Sequence, residues 1–190
     1  MREIESLKSY IGKVPKDEFM VLATKIYMIT DFITNDYPKY KEWYFTKQLP
    51  ATINSNERNI LFVRNLEDNN EIISMACLKK DKKEQKICTL YVSDKCRGLG
   101  IGTAMVEESM KWLGTTKPLI TLADYKLEMF RPLINKYEWE LMEIVSNLYK
   151  DKTQELCFNG TLTRTSAENL EQQFHQKLVR TLKNRGKQIQ

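Results

Sequence analysis

Residues 86–113 read KICTLYVSDKCRGLGIGTAMVEESMKWL, and the rest of the chain is organised around them. Ile87, Cys88, Leu90, Tyr91 and Val92 form a short, almost wholly apolar run, the pattern of a strand buried on both faces. Ser93-Asp94-Lys95-Cys96 is a polar corner. Arg97-Gly98-Leu99-Gly100-Ile101-Gly102 follows, and apolar residues then return at helical spacing as Met105, Val106, Met110 and Leu113. The stretch predicts a strand, a glycine turn and a helix, in that order.

Glycine is entropically costly in regular structure, so three at alternate positions need a reason. They let the backbone turn tightly and bring its N–H groups close to a ligand. The helix that starts there adds unpaired amides and a positive dipole end, which suits an anion such as a pyrophosphate. Two phosphate-binding patterns fail at once. A Walker A loop needs lysine before its Ser/Thr, and here Gly102 meets Thr103 directly. The dinucleotide fingerprint needs G-x-G-x-x-G, whereas Gly98, Gly100 and Gly102 are spaced G-x-G-x-G.

Arg97-x-x-Gly100-x-Gly102 resembles the Gln/Arg-x-x-Gly-x-Gly/Ala acyl-CoA motif of the GNAT N-acetyltransferases. The apolar strand before it, the amphipathic helix after it and the next strand at Pro118-Leu119-Ile120-Thr121-Leu122 resemble the family too. The resemblance covers residues 16–162 and implies an α+β GNAT acyl-CoA N-acyltransferase fold. That fold has a mixed, mostly antiparallel central sheet flanked by helices. It implies acetyl-CoA as acyl donor, with no metal. The pantetheine arm would pair with the backbone of Leu90, Tyr91 and Val92. The pyrophosphate would sit on the amides of Gly98, Leu99, Gly100, Ile101, Gly102 and Thr103, with Arg97 opening the motif. Asp124 stands roughly where the family places an Asn. The family's thiolate-protonating Tyr position is Arg131 here, and Tyr137-Glu138-Trp139 replaces Gly-Phe. Tyr137 and Tyr125 are the nearest phenols, and Tyr137 is the candidate general acid. Thr89, Glu128 and ordered water remain open as the base.

The implied reaction is direct attack of a primary amine on the thioester, with an unidentified acceptor: a small molecule, a protein amine or a charged tRNA. The competing reading is a catalytically inactive GNAT-fold module that binds CoA or a partner and contacts nucleic acid through its basic tail.

Composition agrees with a globular protein. The 190 residues are 42% apolar and 29% charged, with net charge +5. One domain is expected over residues 1–162, followed by a C-terminal basic helical tail over 163–190. No apolar run approaches the ~20 residues that cross a membrane. The N-terminus MREIESLKSY lacks a secretory apolar segment, so the expectation is cytoplasmic, without membrane contact. Cys77 and Cys88 fall in predicted strands as small core residues, whereas Cys96 lies on the exposed corner as the reactive candidate. With His175 the one histidine, zinc sites and His-assisted triads are disfavoured.

Along the chain, residues 1–14 fit either a helix or a first strand. Phe19, Leu22, Ala23, Ile26, Ile29 and Ile33 make one stripe, predicting an amphipathic helix over 16–34. A short aromatic helix is predicted over 39–47; its rings serve as core, as groove wall, or as an acceptor pocket. Strands are predicted at 59–64, 71–79 and 86–92, then 119–122. A helix over 127–137 carries Pro132, which predicts a kink or a late start. A closing antiparallel pair is expected at 141–148 and 156–162. In the tail, Leu170, Phe174, Leu178 and Leu182 repeat at four. From Arg164 onward six Lys/Arg face two Glu, which suits docking, a homodimer or nucleic acid.

Overall fold

The computed structural model of the protein describes residues 3–65 and 70–162. Seven strands form one sheet in the order β1-β2-β3-β4-β5-β7-β6. They are β1 (Ile4–Ser6), β2 (Arg58–Asn65), β3 (Glu71–Lys80), β4 (Gln85–Val92), β5 (Leu119–Ala123), β6 (Leu141–Ser146) and β7 (Gln154–Phe158). All neighbours pair antiparallel except β4 and β5, which are parallel and joined by a helical crossover. The open choice at the N-terminus resolves as the edge strand β1 followed by a 3-10 turn over Leu7–Tyr10.

Helices cover both faces. On one lie α4 (Ile101–Leu113) and α5 (Leu127–Lys136); on the other lie α1 (Lys16–Met28), α2 (Tyr40–Trp43) and α3 (Leu49–Asn54). Period-two alternation in the central strands feeds both cores. Leu61, Val63, Ala76 and Leu78 face α4, while Ile60, Phe62, Met75 and Cys77 face α1.

The stripe predicted to hold one helix over 16–34 breaks after Met28. Thr30 turns its hydroxyl back to the Tyr27 carbonyl at 2.8 Å, and a separate 3-10 turn runs over Asp31–Asn35. The side chain competes for the backbone acceptor, and the helix ends there. The aromatic helix predicted to stop at 47 instead continues through a π-helical turn (Tyr44–Gln48) into α3. Buried Gln48 anchors that turn, with Nε2 donating to the Asn59 carbonyl at 2.9 Å. Helix α5 begins at Leu127 and runs through Pro132 rather than starting after it. Cys96, expected on the surface, is buried: its 3-10 turn (Asp94–Cys96) folds the thiol into the α4 core. The basic tail predicted over 163–190 lies outside the described residues.

Candidate functional site

Of the eight residues in β4, only Lys86 and Ile87 find partners on β5, opposite Leu119 and Ile120. β4 then runs on to Val92 while β5 pairs β7 on its other side, so the two parallel strands part. The gap opens a cleft of about 1150 Å³, with Leu90, Tyr91 and Val92 on one wall and Ile120, Thr121 and Leu122 on the other. A strand whose second edge is unpaired presents N–H and C=O groups that an extended, amide-bearing ligand can take up.

A β-bulge marks the point of parting. Ile87 faces Leu78 and Thr89 faces Cys77, which leaves Cys88 without a partner in the register. The extra residue shifts the alternation, so Ile87, Leu90 and Val92 pack on the α4 side and Cys88 and Tyr91 on the α1 side.

The far end of the cleft is the glycine turn. Gly98 and Gly100 have φ of +75° and +79°, and Gly100 caps α4 in the left-handed conformation. A Cβ built on either meets nothing within 4 Å, so conformation and a clear approach, not crowding, call for glycine there. The first intrahelical bond runs from Ala104 N–H to the Gly100 carbonyl at 3.0 Å. The amides of Ile101, Gly102 and Thr103 therefore precede the ladder and stand free to donate. Arg97 lines the same end, held by Asp94 at 2.6 Å.

On the α2 side the walls are aromatic. Tyr37, Tyr40 and Trp43 all line the cleft, and the Tyr40 hydroxyl lies 3.0 Å from Thr30 Oγ1. Tyr44 instead belongs to the core, its hydroxyl donating to the Ala23 carbonyl at 2.9 Å. The rings thus divide between groove wall and core.

Next to Tyr37 is a buried carboxylate. Glu155 on β7 is 5% exposed, and the Tyr37 hydroxyl donates to it at 3.3 and 3.4 Å. Burial pushes the Glu155 carboxyl above the ordinary glutamate range, although hydrogen bonds from Thr121 and Tyr37 pull the other way. The Tyr37 phenol is pushed up by its own burial and then by the Glu155 charge, so it stays protonated as a donor.

The fold gathers most of the sequence-predicted residues. Leu90, Tyr91, Val92, Arg97, Gly98, Gly100, Gly102 and Thr103 line the cleft. Leu99 is 60% exposed and Ile101 is buried in the core, so only their backbone faces a ligand. Asp124 is exposed outside the cleft lining, with Oδ1 accepting from the Tyr125 N–H at 2.9 Å. Tyr137 also stands off the cleft lining. Its hydroxyl donates to Glu107 at 3.0 Å and its ring stacks on Trp139 at 5.7 Å, which ties the phenol to α4. Glu128 is exposed and paired with Arg131. Sequence reading missed Glu155; its one signal is a charged residue directly before the apolar run Leu156-Cys157-Phe158.

A sheet parted between two parallel strands, with a glycine-turned helix start at the mouth, defines the acyl-CoA acyltransferase class. A sequence profile described as the Acetyltransferase (GNAT) family matches residues 24–122. The chain belongs to the GNAT acetyltransferase family. No curated protein matches the sequence. Among solved structures, a putative GNAT acetyltransferase from Desulfovibrio desulfuricans superposes with TM-score 0.57 at 10% identity, over 83% of this chain and 97% of that one. The ribosomal-protein-S18-alanine N-acetyltransferase of Escherichia coli gives 0.56 at 12% identity, over 83% and 92%. An aminoglycoside 6'-N-acetyltransferase complexed with coenzyme A gives 0.50 at 13%, over 76% and 94%. At these identities the likeness is one of fold.

Proposed function

We propose that this protein is an acetyl-CoA-dependent N-acetyltransferase that acts on a primary amine. The observation that carries the reading is the parting of β4 from β5 at a bulge, ending on the Gly98–Gly100 turn. The pyrophosphate takes the amides at the start of α4, with Arg97 beside it, and the pantetheine arm takes the open edge of Leu90, Tyr91 and Val92. The thioester then lies at the bulge, where the Cys88 amide can polarise its carbonyl.

The neutral amine attacks that carbonyl, the N–C bond forms, the C–S bond breaks and coenzyme A leaves as a thiolate. The proton lost by the amine passes to the Tyr37 hydroxyl as Tyr37 gives its own to Glu155, and water protonates the thiolate. A carboxylate poised above its ordinary range is matched to that task at neutral pH. Water thus replaces Tyr137 as the proposed acid, because Tyr137 is committed to Glu107, while Tyr37 and Glu155 fill the role of base.

Calorimetric titration with acetyl-CoA, coenzyme A and ATP tests the site, and thiol release with added amines tests the chemistry. Micromolar acetyl-CoA binding with little for ATP is expected. No acetyl-CoA binding would refute the reading.

A further inference from the structure

Three cations stand side by side across three strands on the α2 face of the sheet. Arg58 on β2 is in register with Lys79 on β3, and Lys79 with Lys86 on β4. Neighbouring strands lie about 4.8 Å apart, so three positive charges share a span of roughly 10 Å. Like charges directly opposite one another destabilise a sheet. All three residues line the cleft.

Two carboxylates answer the row at its centre, and buried Glu155 lies within electrostatic reach of Lys86 without pairing with it. Lys79 Nζ lies 2.8 Å from Asp81 Oδ2 and 2.6 Å from Glu84 Oε1, and the contact with Lys79 helps hold the Asp81 carboxyl down to about 2. Among the described residues, no carboxylate pairs with Arg58 or Lys86. Arg58 donates from Nη1 to the neutral Gln48 Oε1 at 2.8 Å and lies 5.8 Å over the Trp43 ring. Those contacts orient the guanidinium without neutralising it. The facing wall adds Lys39 and Lys47 against Glu42. Both ends of the row are half-buried, where an ion pair is screened less than at the surface.

The place of the row matters as much as its charge. Lys86 precedes the bulge residue Cys88 by two positions, about 7 Å along the strand. A group held there lies a few bonds from an amine that attacks at the bulge. Resting on the acetyltransfer reading above, we propose that the acceptor amine carries an anionic group, carboxylate or phosphate, held between Arg58 and Lys86. A polyamine, or an amine flanked by further cations, meets the same row as repulsion.

The test uses acceptors matched in the amine and different in charge. These are 4-aminobutyrate against its amide, phosphoethanolamine against ethanolamine, and a peptide with Asp after its N-terminal residue against the Asn peptide, with putrescine as the dication. Each is titrated calorimetrically into the protein saturated with coenzyme A and assayed for thiol release with acetyl-CoA. One charge-assisted contact shifts affinity by at least about tenfold. The acidic member of at least one pair is therefore expected to win by that factor, mostly through KM, and Lys86→Gln and Arg58→Gln to erase the gap with acetyl-CoA affinity unchanged. Whether the carboxylate or the phosphate pair shows the larger gap identifies the anion.

Equal binding within every pair, preference for putrescine, or a gap that survives both variants would overturn the anion site. Tighter binding of the acidic members without transfer to any amine would keep the anion site and sink the acetyltransfer reading.

Discussion

Gly100→Ala and Gly114→Ala form a matched pair that separates the two reasons for a glycine in the turn. Gly100 has φ +79° at the start of α4, and Gly114 has φ +77° at its end. A Cβ at either meets nothing within 4 Å, so neither variant creates a clash. What each loses is the freedom to hold a left-handed backbone, a cost of about 1–2 kcal/mol. For a domain of this size that lowers Tm by roughly 2–8 °C, equally in both. Only Gly100 lines the cleft. On the proposed reading, the methyl of Gly100→Ala stands at the cleft end where the pyrophosphate approaches the amides of α4. Losing one or two charge-assisted bonds weakens acetyl-CoA about 10- to 100-fold or more. Thermal unfolding and calorimetry on both proteins decide the matter. If Gly100→Ala keeps wild-type affinity while sharing the Tm loss of Gly114→Ala, the turn is purely structural and the ligand lies elsewhere.

Three further variants have expected outcomes. Gly102→Ala leaves the free fold intact or raises its stability by up to about 1 kcal/mol, since its new Cβ meets only Val92 Cγ2 at an ordinary 3.6 Å; a denaturant midpoint measures this. Glu155→Gln lowers kcat by about 10²–10⁴ in thiol-release assays. The same variant gains stability at neutral pH. A carboxyl raised in the fold binds its proton there when the unfolded chain has already lost it, so wild-type stability falls as pH rises from the ordinary glutamate value of 4.5 through the folded value, and Glu155→Gln flattens that slope in melts run from pH 4 to 8. Tyr37→Phe removes a hydrogen bond that favours ionised Glu155, so the acidic limb of kcat/KM moves to higher pH; an unmoved limb would detach Tyr37 from the proton path.

The parts of the site legible in the sequence are those written in consecutive residues. The apolar run of β4, the glycine turn and the α4 stripe each carry their own period, and Gly114 stops α4 as read, accepting the αL cap with its N–H on the Met110 carbonyl at 2.9 Å. The end of α1 was hidden because the apolar stripe runs on to Ile33 while the break comes from one hydroxyl, that of Thr30. The bulge at Cys88 was hidden because a register shift belongs to two strands, and only β3 reveals it. Tyr37 and Glu155 are separated by 118 positions. No local pattern joins them; the sheet order does, by setting β7 beside β5.

Among the described residues, two costly arrangements of charge lie together on the α2 side of the sheet beside one cleft. Glu155 is a carboxyl buried at a cost, and the Arg58–Lys79–Lys86 row sets three cations side by side with ion pairs at Lys79 alone. Replacing Glu155 by glutamine would relieve its burial, whereas Lys86 helps offset that same charge. A fold that tolerates such liabilities concentrates them where a ligand compensates them, which is why local disagreement with stability is evidence of use. The two charges are also complementary in task. In the proposed mechanism the carboxylate draws a proton from the amine, and the proposed anion site holds the group attached to it, which keeps that amine in reach of the bulge. A substrate with both groups engages both at once, so acceptor binding should stabilise this protein more than binding of either group alone.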